Sequence, residues 1–239
     1  MVPRFYLDAP LRAGGVSMLP EASAHHAVHV LRLREGDEVT LFNGRGGEFA
    51  ARIASMQRLK ISIDVLQHRA LERESPLRVT LVQGVSSGER MDSTLRKAVE
   101  LGVSEVQPVL STRSVARPKG ERADNRRTHW QKVVIAACEQ CGRNRVPEVQ
   151  PLISLPEYVP GEGAKILLSP SSQARLSKLS FSGSEFVLAA GPEAGFTDEE
   201  EARLVEAGFV PASLGPRVLR TETAAVAALA ALNALRGDS

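Results

Sequence analysis

The sequence predicts an α/β protein in which a small β-barrel domain precedes a larger domain built on a parallel sheet. The first part of the chain, up to about residue 70, shows mostly strands with alternating apolar side chains. Beyond it, apolar strands alternate with helices, which is typical of a parallel sheet with helices on its faces. The charged stretch 71–76 separates the two patterns. The domains are therefore predicted at residues 1–72 and 73–239.

Three strands and one helix are predicted in the first domain. The helix covers residues 21–31, where apolar residues recur at helical spacing. The strands are predicted at 38–42, 48–56 and 60–66. Asn43-Gly44 lies between the first two strands and is a strong turn signal.

In the second domain, strands and helices follow one another in sequence. Strands are predicted at 78–83, 105–109, 164–168 and 185–190. Helices are predicted at 90–101, from about Thr128 to Cys141, after the capping box Thr197-x-x-Glu200, and at 222–235. The basic stretch before Thr128 is predicted to be an irregular loop. In such sheets ligands bind beyond the carboxyl ends of the strands.

Charge is distributed unevenly along the chain. The formal net charge is only +2, which identifies no partner. Residues 111–145 nevertheless hold nine Lys or Arg and three Asp or Glu, a local excess that would suit an RNA backbone. A solvated helix face is the alternative explanation.

Several classes of protein are excluded or disfavoured. No apolar leader opens the chain and no apolar run is long enough to span a membrane. Cys138 and Cys141 are the only cysteines; an isolated pair makes no zinc site, and so few cysteines favour a reducing compartment. The glycine motifs that hold nucleotide phosphates are absent. A cytoplasmic protein without a metal is predicted.

Two segments are candidates for a ligand site. The first, 191–196 (GPEAGF), directly follows a predicted strand, and its glycines would let the backbone approach a ligand. Glu193 in this turn disfavours an anionic ligand. A tight connection followed by a capped helix explains the segment equally well.

The second segment, 214–224 (LGPRVLRTETA), begins with a Gly-Pro turn and precedes an apolar helix. Thr221 or Thr223 could cap that helix. Capping does not explain Arg217 and Arg220, because positive charge near a helix start opposes the helix dipole. Residues that are locally unfavourable, such as these two arginines near a helix start, often mark a functional site.

Both segments resemble the GPEGGF and LGxRILRTETA signatures of RsmE-type methyltransferases, which belong to the SPOUT superfamily. The resemblance continues through RFY at 4–6, HHAVHVLRLREGD at 25–37, KAVELGV at 97–103, TRS at 112–114 and EQCGR at 139–143. One departure is Ala194, where the family usually has glycine.

The resemblance implies a PUA-like RNA-binding barrel followed by an α/β domain with a trefoil knot. It also implies a homodimer that uses S-adenosylmethionine to methylate uracil N3 near the 3′ end of 16S rRNA, in the small ribosomal subunit. The cofactor-binding residues implied are Leu168, Gly191, Pro192, Glu193, Leu214, Gly215, Val218, Leu219, Thr223 and Ala224.

The proposed chemistry needs a cation that stabilises the uracil anion after N3 loses its proton. Arg220 is the main candidate, with Arg4 or Arg113 assisting, and Glu222 either takes the proton or orients an arginine. The residues predicted to bind RNA are Arg4, Arg32, Arg113, Arg117, Lys119, Arg126, Arg127 and Arg143. The alternatives are a SPOUT enzyme with another RNA target and a non-catalytic, RNA-binding assembly factor.

Overall fold

The computed structural model describes residues 2–238, which form two compact units. The first unit comprises the chain up to Glu74 together with Cys138–Val146, called here the inserted segment. The second unit comprises Ser75–Ala137 and the chain from Pro147 onward. The inserted segment thus groups with the first unit, although it lies within the range predicted for the second domain. Residues 1 and 239, the ends of the predicted domains, lie outside the described residues.

The first unit contains a five-stranded mixed sheet in the order β1-β3-β4-β5-β2. Its strands are β1 (Arg4–Tyr6), β2 (Val16–Met18), β3 (Glu38–Phe42), β4 (Glu48–Gln57) and β5 (Lys60–Arg69). Strand β1 pairs with β3 in parallel and the other pairs are antiparallel. The three predicted strands are confirmed, and their alternating side chains form the core of the unit.

The predicted helix of the first unit is present but is not regular. It begins as α1 (Glu21–His25) and continues as a π-helical turn, His26–Val30. Ala24 and Ala27 are its buried residues.

Buried charges hold the inserted segment within the first unit. The Arg4 guanidinium donates to Glu48 Oε2 at 2.6 Å and to Asn144 Oδ1 at 2.7 Å. Arg143 pairs with Glu74 at 2.6 Å. Burial by itself would raise the pKa of Glu48, but hydrogen bonds from Arg4 and Arg73 outweigh it and hold the pKa below its usual value. This stabilisation is therefore present at neutral pH and lost as pH falls through the lowered pKa.

Replacing Glu48 by alanine should destabilise the first unit strongly. The Arg4 and Glu48 side chains are only 8% and 5% exposed, and removing one partner of a buried ion pair costs about 3–5 kcal/mol. Denaturant unfolding followed by circular dichroism measures the change. The control is Glu185→Ala, which breaks the exposed pair with Arg78 and should cost at most about 1 kcal/mol. Equal losses in the two variants would contradict the structural importance of the buried pair.

The second unit is an α/β fold around a parallel sheet in the order β12-β10-β11-β6-β7-β8, with β9 also paired to β7. The strands are β6 (Arg78–Gly84), β7 (Glu105–Leu110), β8 (Glu148–Val149), β9 (Ile153–Ser154), β10 (Ala164–Leu168), β11 (Glu185–Ala190) and β12 (Val210–Ala212). Every pairing in it is parallel. The predicted parallel-sheet α/β domain is confirmed.

The helices of this fold are α2 (Gly88–Glu100), α3 (Glu121–Cys141), α4 (Asp198–Glu206) and α5 (Thr221–Arg236). The predicted capping box of α4 is confirmed, with Thr197 accepting from the Glu200 amide and Glu200 accepting from the Thr197 amide. No helix within residues 2–238 is long and apolar enough to cross a membrane.

Helix α3 begins earlier than predicted. It starts at Glu121 rather than near Thr128, so Arg122, Arg126 and Arg127 lie on a helix and not in a loop. High charge does not prevent a helix here, because acidic residues in the first turn complement the helix dipole. The side chains of Arg122 and Arg126 are exposed, and that of Arg127 is half-buried.

Candidate functional site

A cavity of about 370 Å³ opens in the second unit where three parallel strands end. Leu168, Ala190 and Ala212 are the last residues of β10, β11 and β12, and all three line it. Ligands of parallel α/β sheets bind beyond this edge. Small organic ligands occupy cavities of this size, so this is the candidate binding site.

The two segments identified in the sequence form the walls of the cavity. The predicted cofactor residues that line it are Leu168, Gly191, Pro192, Glu193, Leu214, Gly215, Val218, Leu219 and Ala224. Thr223 is exposed and does not line it. Thr221 and Ala224 line the cavity, because residues three positions apart lie on the same face of a helix. Thr223 lies on a different face.

The turn 191–196 is tightest at Gly191. A Cβ there would lie 2.9 Å from the Gly195 Cα and 2.9 Å from the Phe196 nitrogen, so the requirement for glycine is steric. Positive φ occurs instead at Gly195, at +70°. Ala194 has no positive φ, so its departure from the family pattern introduces no backbone strain.

The Glu193 carboxylate forms hydrogen bonds with residues outside its own turn. Its Oε1 accepts from the Ser87 amide at 2.8 Å and from Arg90 Nη1 at 3.2 Å. Burial alone would raise the pKa of Glu193, but hydrogen bonds from Ser87 and Arg90 outweigh it, and the pKa is lowered. Glu193 is therefore ionised at neutral pH. Arg90 Nε also lies 3.9 Å from Glu222 Oε2, which favours an orienting contact for Glu222.

Arg113, predicted to bind RNA or to assist catalysis, lines the cavity. Its Nη1 donates to the carbonyl oxygens of Ala194 at 3.1 Å and Phe196 at 3.0 Å. Arg113 therefore supports the turn directly. Two polar residues that the sequence did not reveal, Ser169 and Glu201, also line the cavity and hydrogen-bond to each other at 2.9 Å.

Arg220 is the N-cap residue of α5, and its side chain makes no capping hydrogen bond. The prediction that Thr221 or Thr223 caps this helix is wrong, because the Thr221 hydroxyl donates to the Gly191 carbonyl at 2.8 Å instead. Arg220 is exposed, and within residues 2–238 no hydrogen bond or ion pair engages its guanidinium. Leu219 and Thr221 on either side line the cavity, whereas Arg220 itself does not line it.

Arg4 and Arg143, both predicted to bind RNA and Arg4 also to assist catalysis, are largely buried. Both belong to the first unit, and their side chains are 8% and 7% exposed. Each guanidinium is engaged by a carboxylate, Glu48 for Arg4 and Glu74 for Arg143. Burial and pairing favour a structural role for both over contact with RNA or substrate. Arg32 is exposed, with φ at +55°.

Three of the residues predicted to bind RNA form, together with Arg122, an open groove at the start of α3, called here the basic groove. Its basic lining residues are Arg117, Lys119, Arg122 and Arg126. Arg127 is outside it, because its Nε donates to the Val149 carbonyl at 2.7 Å and it pairs with Glu148. The groove therefore contains four of the nine Lys and Arg residues of the basic stretch 111–145.

Both cysteines are free; Cys138 is buried and Cys141 is half-buried. Burial raises the pKa of the Cys138 thiol to about 12. Among the described residues, no group of three or more His, Cys, Asp or Glu could hold a metal ion.

Comparison with known proteins places these features in a family. Residues 73–233 match the model of an RNA methyltransferase domain, and residues 19–66 match that of an RNA methyltransferase PUA domain. The chain is 34% identical to ribosomal RNA small subunit methyltransferase E of Buchnera aphidicola from Schizaphis graminum, over 99% of this chain and 98% of the relative.

Two solved structures are similar over the whole chain. One is ribosomal RNA small subunit methyltransferase E from Neisseria gonorrhoeae bound to S-adenosyl methionine, with 42% identity, a TM-score of 0.92 and coverage of 100% of this chain and 99% of the other. The second, from Legionella pneumophila with bound SAM, has 36% identity, a TM-score of 0.96 and coverage of 100% of both chains. The resemblance found in the sequence is confirmed.

Proposed function

This chain belongs to the ribosomal RNA small subunit methyltransferase E family of S-adenosylmethionine-dependent rRNA methyltransferases, and we propose that it methylates N3 of a uridine near the 3′ end of 16S rRNA. The observation that carries the proposal is the cavity beyond β10, β11 and β12. Its walls are the two segments that match the family signatures.

The residues of the cavity fit S-adenosylmethionine. Its volume suits a ligand of that size. The carboxylates of Glu193, Asp198 and Glu201 line it, and negative charge suits a ligand that carries a sulfonium and an ammonium group. Leu168 and Leu219 contribute apolar surface that would contact the adenosine.

S-adenosylmethionine, when bound, supplies a methyl group that is already activated by its sulfonium. The task of the protein is then to position the uracil and improve it as a nucleophile. Once N3 has lost its proton, negative charge spreads onto O2 and O4. Arg220 would donate hydrogen bonds to those oxygens, since its guanidinium is uncommitted among residues 2–238. Glu222 would hold Arg90, and through it Glu193, in place.

RNA binding would use the basic groove and the first unit. Arginine and lysine side chains that neutralise phosphates release counterions, which supplies affinity without sequence preference. The match to a PUA domain of RNA methyltransferases over residues 19–66 supports an RNA-binding role for the first unit. A cytoplasmic location, where small ribosomal subunits are assembled, is part of the proposal.

We also propose a homodimer and a trefoil knot, as the resemblance implies. Helix α5 supports the dimer because it leaves small apolar residues exposed or half-buried on one side. These are Val226, Ala227, Ala230 and Ala234. A partner packed there would lie beside Arg220 and Glu222 at the start of the same helix.

Methyl transfer from labelled S-adenosylmethionine to purified small ribosomal subunits tests the proposed function. The subunits should come from a strain that lacks this gene, so that the target is unmodified. Label in 16S rRNA is the expected result. Label in another RNA would indicate a different target, and binding to the subunit without transfer would indicate a non-catalytic assembly factor.

Replacing Arg122 and Arg126 by alanine should flatten the salt dependence of RNA binding. Both residues are exposed in the basic groove. Two lost phosphate contacts should reduce the slope of log K against log salt by about 1.4–1.8. Filter binding of a 16S rRNA fragment at several salt concentrations measures the slope.

The control for this pair is Arg78→Ala with Arg96→Ala, two exposed arginines of the same unit outside the groove. The control should keep the slope of the parent. An unchanged slope in the Arg122 and Arg126 variant would reduce the groove to a solvated helix face.

A further inference from the structure

Gln83 lies at the end of β6, beside the first residue of the cofactor turn. Its side chain is completely buried, at 0% exposure. Its Nε2 lies 3.0 Å from the Gly84 carbonyl, 3.3 Å from the Gly191 carbonyl and 3.2 Å from the Thr221 hydroxyl. An amide nitrogen has two hydrogens, so it can serve two of these acceptors at once.

Thr221 reaches the same carbonyl from the other wall of the cavity. Its hydroxyl donates to the Gly191 oxygen at 2.8 Å and lies 3.3 Å from the Ser86 hydroxyl. Thr221 begins α5 and is 7% exposed. Side chains from β6 and from the second segment therefore converge on one backbone oxygen of the first segment.

This convergence restrains the peptide plane between Gly191 and Pro192. A carbonyl oxygen has two lone pairs, and Thr221 and Gln83 can occupy both. The direction of that plane determines where Pro192 and Glu193 face the cavity. Low dielectric surroundings strengthen such hydrogen bonds and make the loss of one partner expensive.

We propose that Gln83 and Thr221 are positioning residues that fix the two cofactor-binding segments relative to each other, and thereby set affinity for S-adenosylmethionine; this rests on the proposed function of the cavity. Neither residue is required to touch the uracil. Gln83 does not line the cavity, so its removal should act on cofactor affinity and leave the rate at saturation nearly unchanged.

Gln107 provides a matched control. It lies on the neighbouring strand β7 and is 9% exposed. Its Nε2 donates to the carbonyls of Pro108 and Pro151, each at 2.9 Å, and it does not line the cavity. Gln107→Met removes a buried glutamine from the same sheet without touching the cofactor turn.

The test is calorimetric titration of the full chain with S-adenosylhomocysteine, together with KM and kcat for S-adenosylmethionine. Gln83→Met should raise the Kd and KM at least about tenfold and leave kcat within about threefold. Gln107→Met should leave all three within about twofold. Equal effects of the two variants on affinity would overturn the proposal, as would an unchanged Kd in Gln83→Met.

A second pair of variants keeps the test decisive if Gln83→Met does not fold. Thr221→Val keeps the shape of the side chain and should weaken binding about tenfold, whereas Thr221→Ser keeps the hydroxyl and should bind within about threefold of the parent. Equal binding by the valine and serine variants would overturn the proposal. A parent that does not bind S-adenosylhomocysteine would instead reject the proposed function of the cavity.

Discussion

Replacing Arg220 by alanine is expected to lower kcat for methyl transfer by about a hundred- to a thousandfold, the typical loss when one preorganised donor is removed. Arg220 is exposed, and its neighbours Leu219 and Thr221 line the cavity. Sulfonium and guanidinium are both cationic, so attraction to the reacting centre of the cofactor does not explain its position. A uracil ring that becomes negative during the reaction would explain the position of Arg220. Such a contact is stronger in the transition state, so its loss acts on kcat.

Cofactor binding by the Arg220→Ala variant should stay within a few-fold of the parent, measured by titration with S-adenosylhomocysteine. Arg220→Lys should restore activity only partly, because an ammonium cannot span two acceptors as a planar guanidinium can. Arg96→Ala, an exposed arginine on α2, is the control and should be fully active. Sedimentation completes the test: an inactive monomer would identify Arg220 as an interface residue rather than a catalytic one.

Replacing Gly191 by valine is expected to lower affinity for S-adenosylmethionine at least about tenfold. The Cβ would lie 2.9 Å from backbone atoms of Gly195 and Phe196, so the turn must open. The turn forms one wall of the cavity, and opening it displaces Pro192 and Glu193. Titration with S-adenosylhomocysteine measures the loss, and circular dichroism shows whether the fold is retained.

Gly161→Val is the control for this substitution. Gly161 is exposed and has no positive φ, and a Cβ added there would meet no described atom within 4 Å. The control should bind as the parent does. Unchanged affinity in Gly191→Val would show that the cofactor binds elsewhere.

Long elements could be predicted from the sequence because they contain enough residues to show a period. Strands 38–42 and 185–190 appear in the structure with the predicted bounds. Strands β1 and β12 have three residues each, too few for alternation to be visible. The start of α3 could not be predicted for a different reason, because a highly charged stretch is typical of a loop as well as of an exposed helix.

The walls of the site were predictable because glycine, proline and charge are concentrated in two short segments. The residues that support those walls could not be predicted in this way. Gln83 has no local signal that distinguishes it, and it is 138 positions away from Thr221, whose hydroxyl it contacts. The structural role of Arg4 was hidden in the same way, because its partner Asn144 is 140 residues away. Sequence patterns indicate which chemical groups a segment contains, whereas contacts between residues far apart in sequence determine the role of each group.

The most direct test of the proposed function is mass spectrometry of nucleosides from 16S rRNA of a strain that lacks this gene, complemented with either the parent or the Arg220→Ala variant. We predict that 3-methyluridine is absent without the gene, returns with the parent and does not return with Arg220→Ala. Undiminished 3-methyluridine in the deletion strain, or restoration of a different methylated nucleoside by the parent, would contradict uracil-N3 methylation by this protein.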